Sequence, residues 1–161
     1  MFIRKATHED IAAAHEIYKA AREYMKESGN PTQWQGQYPS DVDVAVGIQT
    51  GTSYVAEDGG EVVAAFHFEI GHEPTYDKIY EGEWKDDGTY AFIHRIAVKY
   101  HGRGIADFCF TECFKMHPNI RIDTHRNNAP MRAALLRNGF SECGIIYLAS
   151  GDERIAYQKV D

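Results

Sequence analysis

The residues best suited to chemistry lie in one segment, where an apolar strand leads into a glycine-bearing turn. Residues 93–98 form the apolar run, and Gly102 and Gly104 follow it before a second apolar stretch. Glycine lets the main chain approach a ligand closely, and the first N–H groups of a helix have no partner inside it. Together with the helix dipole, those donors favour a phosphate or another anion. The segment therefore predicts a strand, a phosphate-binding turn and a helix.

Two other phosphate-binding patterns can be compared with this segment. A P-loop requires Lys followed by Ser or Thr after its second glycine, but Ile105 and Ala106 follow Gly104, which excludes it. A dinucleotide-binding fingerprint fits better, since Asp123 ends a predicted strand about 20 residues further on. Its third small residue falls on Asp107, whose carboxylate would oppose a pyrophosphate and close packing of the helix on the strand. A dinucleotide-binding module stays open as an alternative.

The elements around this segment predict a mixed α/β fold. Asp58, Gly59 and Gly60 join two β-rich runs and are the strongest hairpin signal in the chain. The predicted strands are residues 2–5, 52–57, 61–70, 90–98, 120–125, 140–148 and 154–159. Four helices are predicted. Two begin after caps at Thr7 and Ser40, and the other two cover residues 102–117 and 128–138. The order β-α-α-β-β-β-α-β-α-β-β, with no break in composition, indicates one domain over residues 1–161.

Composition and charge exclude several classes of protein. The chain of 161 residues is 43% apolar and 25% charged, and no stretch approaches the roughly 18 apolar residues of a membrane span. The first residues lack the apolar core of a signal peptide, so we expect a soluble cytoplasmic protein. With 17 basic and 24 acidic residues, the net charge of −7 argues against non-specific nucleic-acid binding. An acidic surface would instead attract cationic acceptors such as amines.

The three cysteines predict reduced thiols, because Cys109, Cys113 and Cys143 do not form the even, closely spaced set of a disulfide framework. Cys109, Cys113 and His117 recur at the spacing of one helix face, which suits either a metal or a buried stripe. No further His/Cys pair would complete four ligands, and we expect no metal.

Two motifs resemble those of the GNAT superfamily of N-acetyltransferases. A strand ending in Val98 precedes the pattern Gln/Arg-x-x-Gly-x-Gly/Ala, which binds acetyl-CoA in that superfamily. Its three marked places are taken by His101, Gly104 and Ala106. Further on, residues 128–140 are similar to Asn-x-x-Ala-x-x-Leu-Tyr-x-Lys-x-Gly-Phe. The order of elements is similar along nearly the whole chain.

The resemblance implies both a fold and a cosubstrate. The fold is a GNAT-like acyl-CoA N-acyltransferase fold, with a single layer of mixed β-sheet flanked by about four helices. The cosubstrate is acetyl-CoA. Its pantetheine arm would lie along the strand that ends at Val98, and its pyrophosphate would bind the N–H groups of the turn that follows. The predicted helix from residue 128 would make one further contact with it. The residues so implied are Ile96, Ala97, Val98, His101, Gly102, Arg103, Gly104, Ile105, Ala106 and Asn128. An N–H near Val98 would stabilise the oxyanion formed from the thioester carbonyl, an effect worth roughly a few kcal/mol.

The chain departs from the superfamily pattern at the general acid. Leu135 takes the place of the usual Tyr and cannot donate a proton, while Met131 replaces the usual Ala. Two alternatives follow for the leaving thiolate: release to water, or protonation by Tyr147.

Two histidines are candidates for the general base that deprotonates the acceptor. His94 lies on the predicted cofactor strand, and a neutral imidazole titrates near working pH. His125 ends the next strand, with Asp123 on the same face to orient it. Each also has a structural interpretation: His94 as a strand residue bonded to a carbonyl, His125 as a cap for the following helix.

The predicted function is transfer of an acetyl group from acetyl-CoA to a primary amine of a small molecule or a peptide. The missing Tyr keeps a non-catalytic acyl-CoA-binding sensor or regulator open. The acceptor and the acyl length are not specified, and similar proteins are often dimers, so a homodimer is compatible with the sequence. Loop aromatics either line the acceptor side or cover the core edges: Trp34, Tyr38, Tyr76, Tyr80 and Trp84.

Overall fold

One seven-stranded sheet, in the order β1-β2-β3-β4-β5-β7-β6, organises the chain. The computed structural model describes residues 1–161. The strands are β1 (Phe2–Lys5), β2 (Ser53–Asp58), β3 (Glu61–Ile70), β4 (Ala91–Val98), β5 (Asn119–Thr124), β6 (Ser141–Tyr147) and β7 (Glu153–Val160). The helices are α1 (Ile11–Glu27), α2 (Asp41–Thr50), α3 (Ile105–Met116) and α4 (Ala129–Arg137). Short 3-10 turns cover His8–Asp10 and Pro74–Tyr76. The predicted mixed sheet, its four helices and their order are confirmed.

The predicted hairpin joins β2 to β3. Gly59 and Gly60 have φ values of 58° and 82°, and Asp58 pairs with Glu61 across them. Positive φ at both central residues is the geometry of a type I′ turn, whose twist matches that of the two strands.

Two helix starts differ from the prediction. The carboxylate of Asp10 accepts from the N–H of Thr7 at 2.7 Å, but this cap closes a 3-10 turn, and α1 begins only at Ile11. The predicted helix from Gly102 begins at Ile105. Gly102 and Gly104 have φ values of 74° and 72°, which a right-handed helix excludes. The cap at Ser40 is confirmed, with its hydroxyl accepting from the N–H of Asp43 at 3.2 Å.

Helices cover both faces of the sheet, and β5 and β7 are accordingly buried in nearly continuous runs instead of at every second residue. Ala14, Ile17 and Tyr18 of α1 belong to one buried cluster with Val55 and Ala65. The other face carries a larger cluster that includes α3 and α4 residues, namely Ile105, Cys109, Phe110, Cys113, Ala134 and Leu135. The sheet is thereby enclosed between two helical layers.

The three cysteines are free and buried. Burial raises the pKa of Cys109 to about 12 and also raises the pKa of Cys113. The ring of His117 accepts from the N–H of Asn119 at 3.2 Å. Cys109 and Cys113 therefore belong to the core, whereas His117 is half-buried and lies beyond the end of α3 at Met116. No group of three or more His, Cys, Asp or Glu side chains is arranged to hold a metal ion.

None of the four helices combines the length and the apolar character needed to cross a bilayer.

Candidate active site

β4 and β5 are parallel neighbours that separate soon after they begin. Only Ala91 and Phe92 of β4 pair with β5, although β4 continues to Val98. On its other side β4 stays bonded to β3, and the N–H of Lys99 donates to Val63 at 2.8 Å. Successive N–H groups of a strand point to opposite edges, so the N–H of Val98 points to the open edge. The second half of β4 therefore presents unpaired main-chain groups to a cleft.

The turn after β4 leaves further donors free. Gly104 is the N-cap of α3, in the left-handed conformation and with no side-chain cap. The first bond of the helix runs from the N–H of Phe108 to the carbonyl of Gly104, at 3.0 Å. The N–H groups of Ile105, Ala106 and Asp107 thus have no partner in the helix, which makes this end suitable for an anion.

A groove of about 550 Å³ runs along this edge and the start of α3. We call it the α3 groove. Its lining consists of Ala21, Tyr24, Met25, Ile96, Ala97, Val98, Tyr100, His101, Gly102, Gly104, Ile105, Ala106, Asp107, Asn128, Pro130, Met131, Ala133, Ala134 and Arg137. All the predicted cofactor residues line it except Arg103. The guanidinium of Arg103 instead lies over the ring of Tyr100, 4.2 Å from its centre.

Two side-chain contacts shape the α3 groove. His101, in the place of the usual Gln or Arg, stacks on Tyr24 with 4.0 Å between ring centres. Asp107 accepts from Arg137 at 2.8 Å and from Asn138 at 2.8 Å. Arg137 is the main cause of the lowered pKa of Asp107. The carboxylate near the turn is therefore charge-paired and does not stand unopposed against an anion.

A second cavity, of about 400 Å³, adjoins the α3 groove. We call it the polar cavity. It is lined by Met25, Thr32, Gln33, Trp34, Gln35, Tyr38, Glu73, Thr75, Ile93, His94, Arg95, Ile96, Ile122, Asp123, Thr124, Asn128, Met131, Leu148, Asp152 and Arg154. Ile96 and Asn128 are among the residues that line both spaces. Two ligands, one in each, would meet beside the open edge of β4.

His94 is held in the polar cavity by Glu73. Its Nε2 lies 3.1 Å from a carboxylate oxygen of Glu73, and this hydrogen bond lowers the pKa of Glu73 to about 2. An ionised carboxylate only accepts, so Nε2 carries the proton and Nδ1 keeps its lone pair when the ring is neutral. Glu73 thus orients a ring whose other nitrogen is free to take a proton.

Asp123 lies on the other side of this ring. One of its oxygens is 4.0 Å from Nδ1 of His94, and the same oxygen accepts from the hydroxyl of Tyr76 at 2.7 Å. Burial and the nearby Asp123 raise the pKa of Tyr76 well above its usual value, so its hydroxyl stays protonated and donates. The Asp123 carboxylate can therefore stabilise positive charge on His94 or on a bound ammonium.

His125 does not line either cavity. Its Nδ1 accepts from the N–H of Asn127 at 3.0 Å, and its Nε2 lies 3.2 Å from the hydroxyl of Thr32. No hydrogen bond joins it to Asp123, so the expected orienting pair is absent. Burial, followed by the charge of Arg154, lowers the pKa of His125. These contacts hold the turn before α4, and the capping role considered for His125 is taken instead by Asn128.

The two positions considered for the general acid lie away from the cleft. Leu135 is fully buried in the core. Tyr147 is half exposed at the end of β6, with its ring 5.3 Å from that of Tyr80, and it lines neither cavity. The structure does not bring Tyr147 together with His94.

Asn128 lines both cavities but is already engaged. Its side-chain oxygen accepts from the N–H of Met131 at 3.2 Å and so caps α4. Its amide donates at 2.9 Å to the side-chain oxygen of Gln33. The same oxygen accepts from Asn30 at 2.7 Å. Asn128 therefore also ties the loop before α2 to α4.

The loop aromatics divide between the two roles considered for them. Trp34 and Tyr38 line the polar cavity. Tyr76 lies buried beneath His94, with its ring centre 6.1 Å away. Trp84 instead covers Arg121, whose guanidinium is 4.1 Å from its ring centre.

Four charged residues of the polar cavity are missed by sequence reasoning: Glu73, Arg95, Asp152 and Arg154. Glu73 lies in a loop with no local signal. Arg95 interrupts an apolar strand, and a charge inside such a strand is the signal that would have identified it. It has φ of 57° and sits at a β-bulge, where the register shifts opposite residues 65–67 of β3. Bulges next to active sites commonly redirect side chains.

Comparison with known proteins supports one assignment. No family model and no curated protein matches the chain. A GNAT-family acetyltransferase from Streptococcus agalactiae is 33% identical, with 99% of this chain and 95% of that one covered and a TM-score of 0.92. A GNAT-family acetyltransferase from Listeria monocytogenes (22% identity, 98% and 93% covered, TM-score 0.70) shares the fold. So does a ribosomal-protein-alanine N-acetyltransferase from Brucella melitensis (20% identity, 100% of both chains covered, TM-score 0.66). With the open β4 edge and the donors at the start of α3, this likeness shows that the chain belongs to the GNAT family of acetyltransferases.

Proposed function

We propose that the chain transfers an acetyl group from acetyl-CoA to a primary amine. The donor would occupy the α3 groove and the acceptor the polar cavity. The observation that carries this proposal is that the two spaces adjoin at Ile96 and Asn128, beside the open edge of β4.

The α3 groove fits the chemical parts of the donor. Free N–H groups at the start of α3 suit a pyrophosphate, and Gly102 and Gly104 leave no side chain in its way. No atom lies within 4 Å of where a Cβ would stand at either glycine. The unpaired edge of β4 suits the amides of a pantetheine arm, which would continue the sheet's hydrogen bonding.

His94 is the proposed general base. When bound, acetyl-CoA supplies the acyl group as a thioester. Asp123 attracts the ammonium of the acceptor, Nδ1 of His94 removes its proton, and Glu73 stabilises the resulting imidazolium through Nε2. The neutral amine then attacks the thioester carbonyl, and the N–H of Val98 donates to the carbonyl oxygen, on which negative charge develops. Because Tyr147 and Leu135 lie outside the cleft, we propose that water protonates the leaving thiolate.

Two measurements test this function. Calorimetry should detect binding of coenzyme A and none of NAD, and thiol release from acetyl-CoA should depend on both protein and amine. NAD binding without coenzyme A binding, or no affinity for coenzyme A well above about micromolar protein, would contradict the proposal. Binding without turnover across an amine panel would favour an acyl-CoA sensor.

A further inference from the structure

Arg154 is a buried cation without a carboxylate partner. Its side chain lines the polar cavity, and the residue is only 5% exposed. Its two hydrogen bonds go to main-chain carbonyls, that of Glu153 at 2.8 Å and that of Gln33 at 3.2 Å. Buried arginines are normally paired with an anion, because an uncompensated charge in the interior is strongly unfavourable. The polar cavity therefore holds a guanidinium with donors to spare.

Arg95 lines the same cavity, and it also lines a neighbouring one that contains His67 and Asp43. Its Nη2 lies 2.9 Å from Nδ1 of His67, and the nearest carboxylate, Asp43, is 3.8 Å away. Burial, followed by the charge of Arg95, lowers the pKa of His67, so that ring is a neutral acceptor. Asp43 is thus the one carboxylate paired with Arg95, at a distance too long for a hydrogen bond, and the charge of Arg95 is only partly compensated.

The two arginines share the cavity with groups of the opposite sign. Both lie close enough to Tyr38 to favour its ionised form, although burial is the larger effect and raises its pKa. Glu73, Asp123 and Asp152 supply negative charge. An acceptor carrying only an amine would use the acidic groups and leave Arg154 unpaired, and Arg95 would keep only its long contact with Asp43.

We propose that the acceptor is a small amine that also carries an anionic oxygen group, such as the carboxylate of a free amino acid. The inference rests on the proposed function. Arg154 and Arg95 bind the anionic group, since a guanidinium donates a planar pair of hydrogen bonds that matches carboxylate or phosphate oxygens. The amine is then directed towards Asp123 and His94.

Matched acceptors provide the first test. Thiol release from acetyl-CoA is measured with amino acids, their uncharged amides, ethanolamine phosphate, ethanolamine and short peptides. We expect kcat/KM for an amino acid to exceed that of its amide by about tenfold or more, because the amide leaves buried donors unpaired. A preference for ethanolamine phosphate over ethanolamine would identify phosphate as the anionic group. Equal or better turnover of the amides, of ethanolamine or of peptides with an amidated C-terminus would overturn the proposal.

Variants separate anion binding from a structural role. Arg154→Gln and Arg95→Gln should each reduce kcat/KM for the acid about tenfold more than kcat/KM for the amide. The control Arg126→Gln removes an exposed arginine that pairs with Glu153 outside the cavity and should keep the preference. If an Arg154 or Arg95 variant lost activity equally on both acceptors, that arginine would have a structural role and the proposal would fail.

A binding readout keeps this test distinct from the proposed function. In the presence of coenzyme A, an amino acid should raise the Tm of the wild-type protein more than its amide does, and Arg154→Gln should remove the difference. Coenzyme A binding with equal effects of acid and amide would overturn the acceptor class alone. Loss of coenzyme A binding would overturn both proposals.

Discussion

His94 lies between two carboxylates that differ in their contact with its ring. Glu73 is within hydrogen-bond distance of Nε2, at 3.1 Å, whereas Asp123 is 4.0 Å from Nδ1. The first contact sets the orientation of the ring, and the second leaves room for the proton of a substrate. His94 can be proposed from sequence as a base, but its partners come from a loop and a neighbouring strand that only folding brings together.

His94→Gln should lower kcat by about 100-fold or more at neutral pH, the usual loss when a general base is removed. The variant should also flatten the pH–rate profile between about pH 6 and 8, where histidine titrates. His125→Gln, which changes a residue outside both cavities, should keep the wild-type profile. Steady-state kinetics across pH measure the profiles of both variants. A flattened profile in His125→Gln with an unchanged one in His94→Gln would assign the general base to His125.

Glu73→Gln should change the acid stability of the protein. The hydrogen bond from His94 lowers the pKa of Glu73 from 4.5 to about 2. Because the folded pKa is the lower one, this stabilisation is complete above pH 4.5 and is lost as pH falls towards 2. The variant should be less stable than the wild type at neutral pH. It should also lose less of its free energy of unfolding than the wild type as pH falls from 4.5 to about 2.

Urea unfolding at several pH values provides this measurement. The control is Glu27→Gln, since Glu27 is exposed at the end of α1, and this variant should follow the wild type. An unchanged slope in Glu73→Gln would mean that the ion pair contributes nothing to folding.

At the scale of elements, the turn before α3 can be tested through its glycines. Gly104 and Gly59 both have positive φ, 72° and 58°, and neither has an atom within 4 Å of an added Cβ. Alanine at either position should destabilise the fold by about 1–2 kcal/mol, from backbone strain alone. Only Gly104→Ala should also weaken coenzyme A binding, which calorimetry measures. Equal affinity in both variants would contradict a role of this turn in the site.

Local patterns predict the elements better than they predict the site. Turn glycines and helix caps each depend on a few adjacent residues, so the hairpin at Gly59 and the cap at Ser40 can be predicted from sequence. The bulge at Arg95 depends on how β4 pairs with β3, and the separation of β4 from β5 depends on the whole sheet. The main chain of the α3 groove was therefore predictable, whereas the charged lining of the polar cavity was not.

At the scale of the whole molecule, β4 and β5 join two parts of the sheet through a short seam. Trp34 packs with Tyr18 of α1 on one side of it, and Trp84 packs with Tyr76 and Arg121 on the other. If residues 1–161 form one domain, Trp34→Phe and Trp84→Phe should each unfold in a single transition that circular dichroism and the remaining Trp report alike.

Coenzyme A should stabilise both variants to the same extent, by about 2.7 kcal/mol at 100 times its Kd. Fluorescence during urea titration, with and without coenzyme A, gives both quantities. Separate midpoints for the two tryptophans would indicate two folding units and contradict the single domain.

Burial of all three cysteines has a practical consequence for following the reaction. Burial also raises the pKa of Cys143, so none of the thiols is an accessible thiolate. A chromogenic aromatic disulfide should leave the native protein uncoloured and titrate three groups in urea. Colour that develops during turnover would then come from coenzyme A alone, with no background from the enzyme. Prompt labelling of the native protein would mean instead that the core around α3 or β6 opens within the time of the assay.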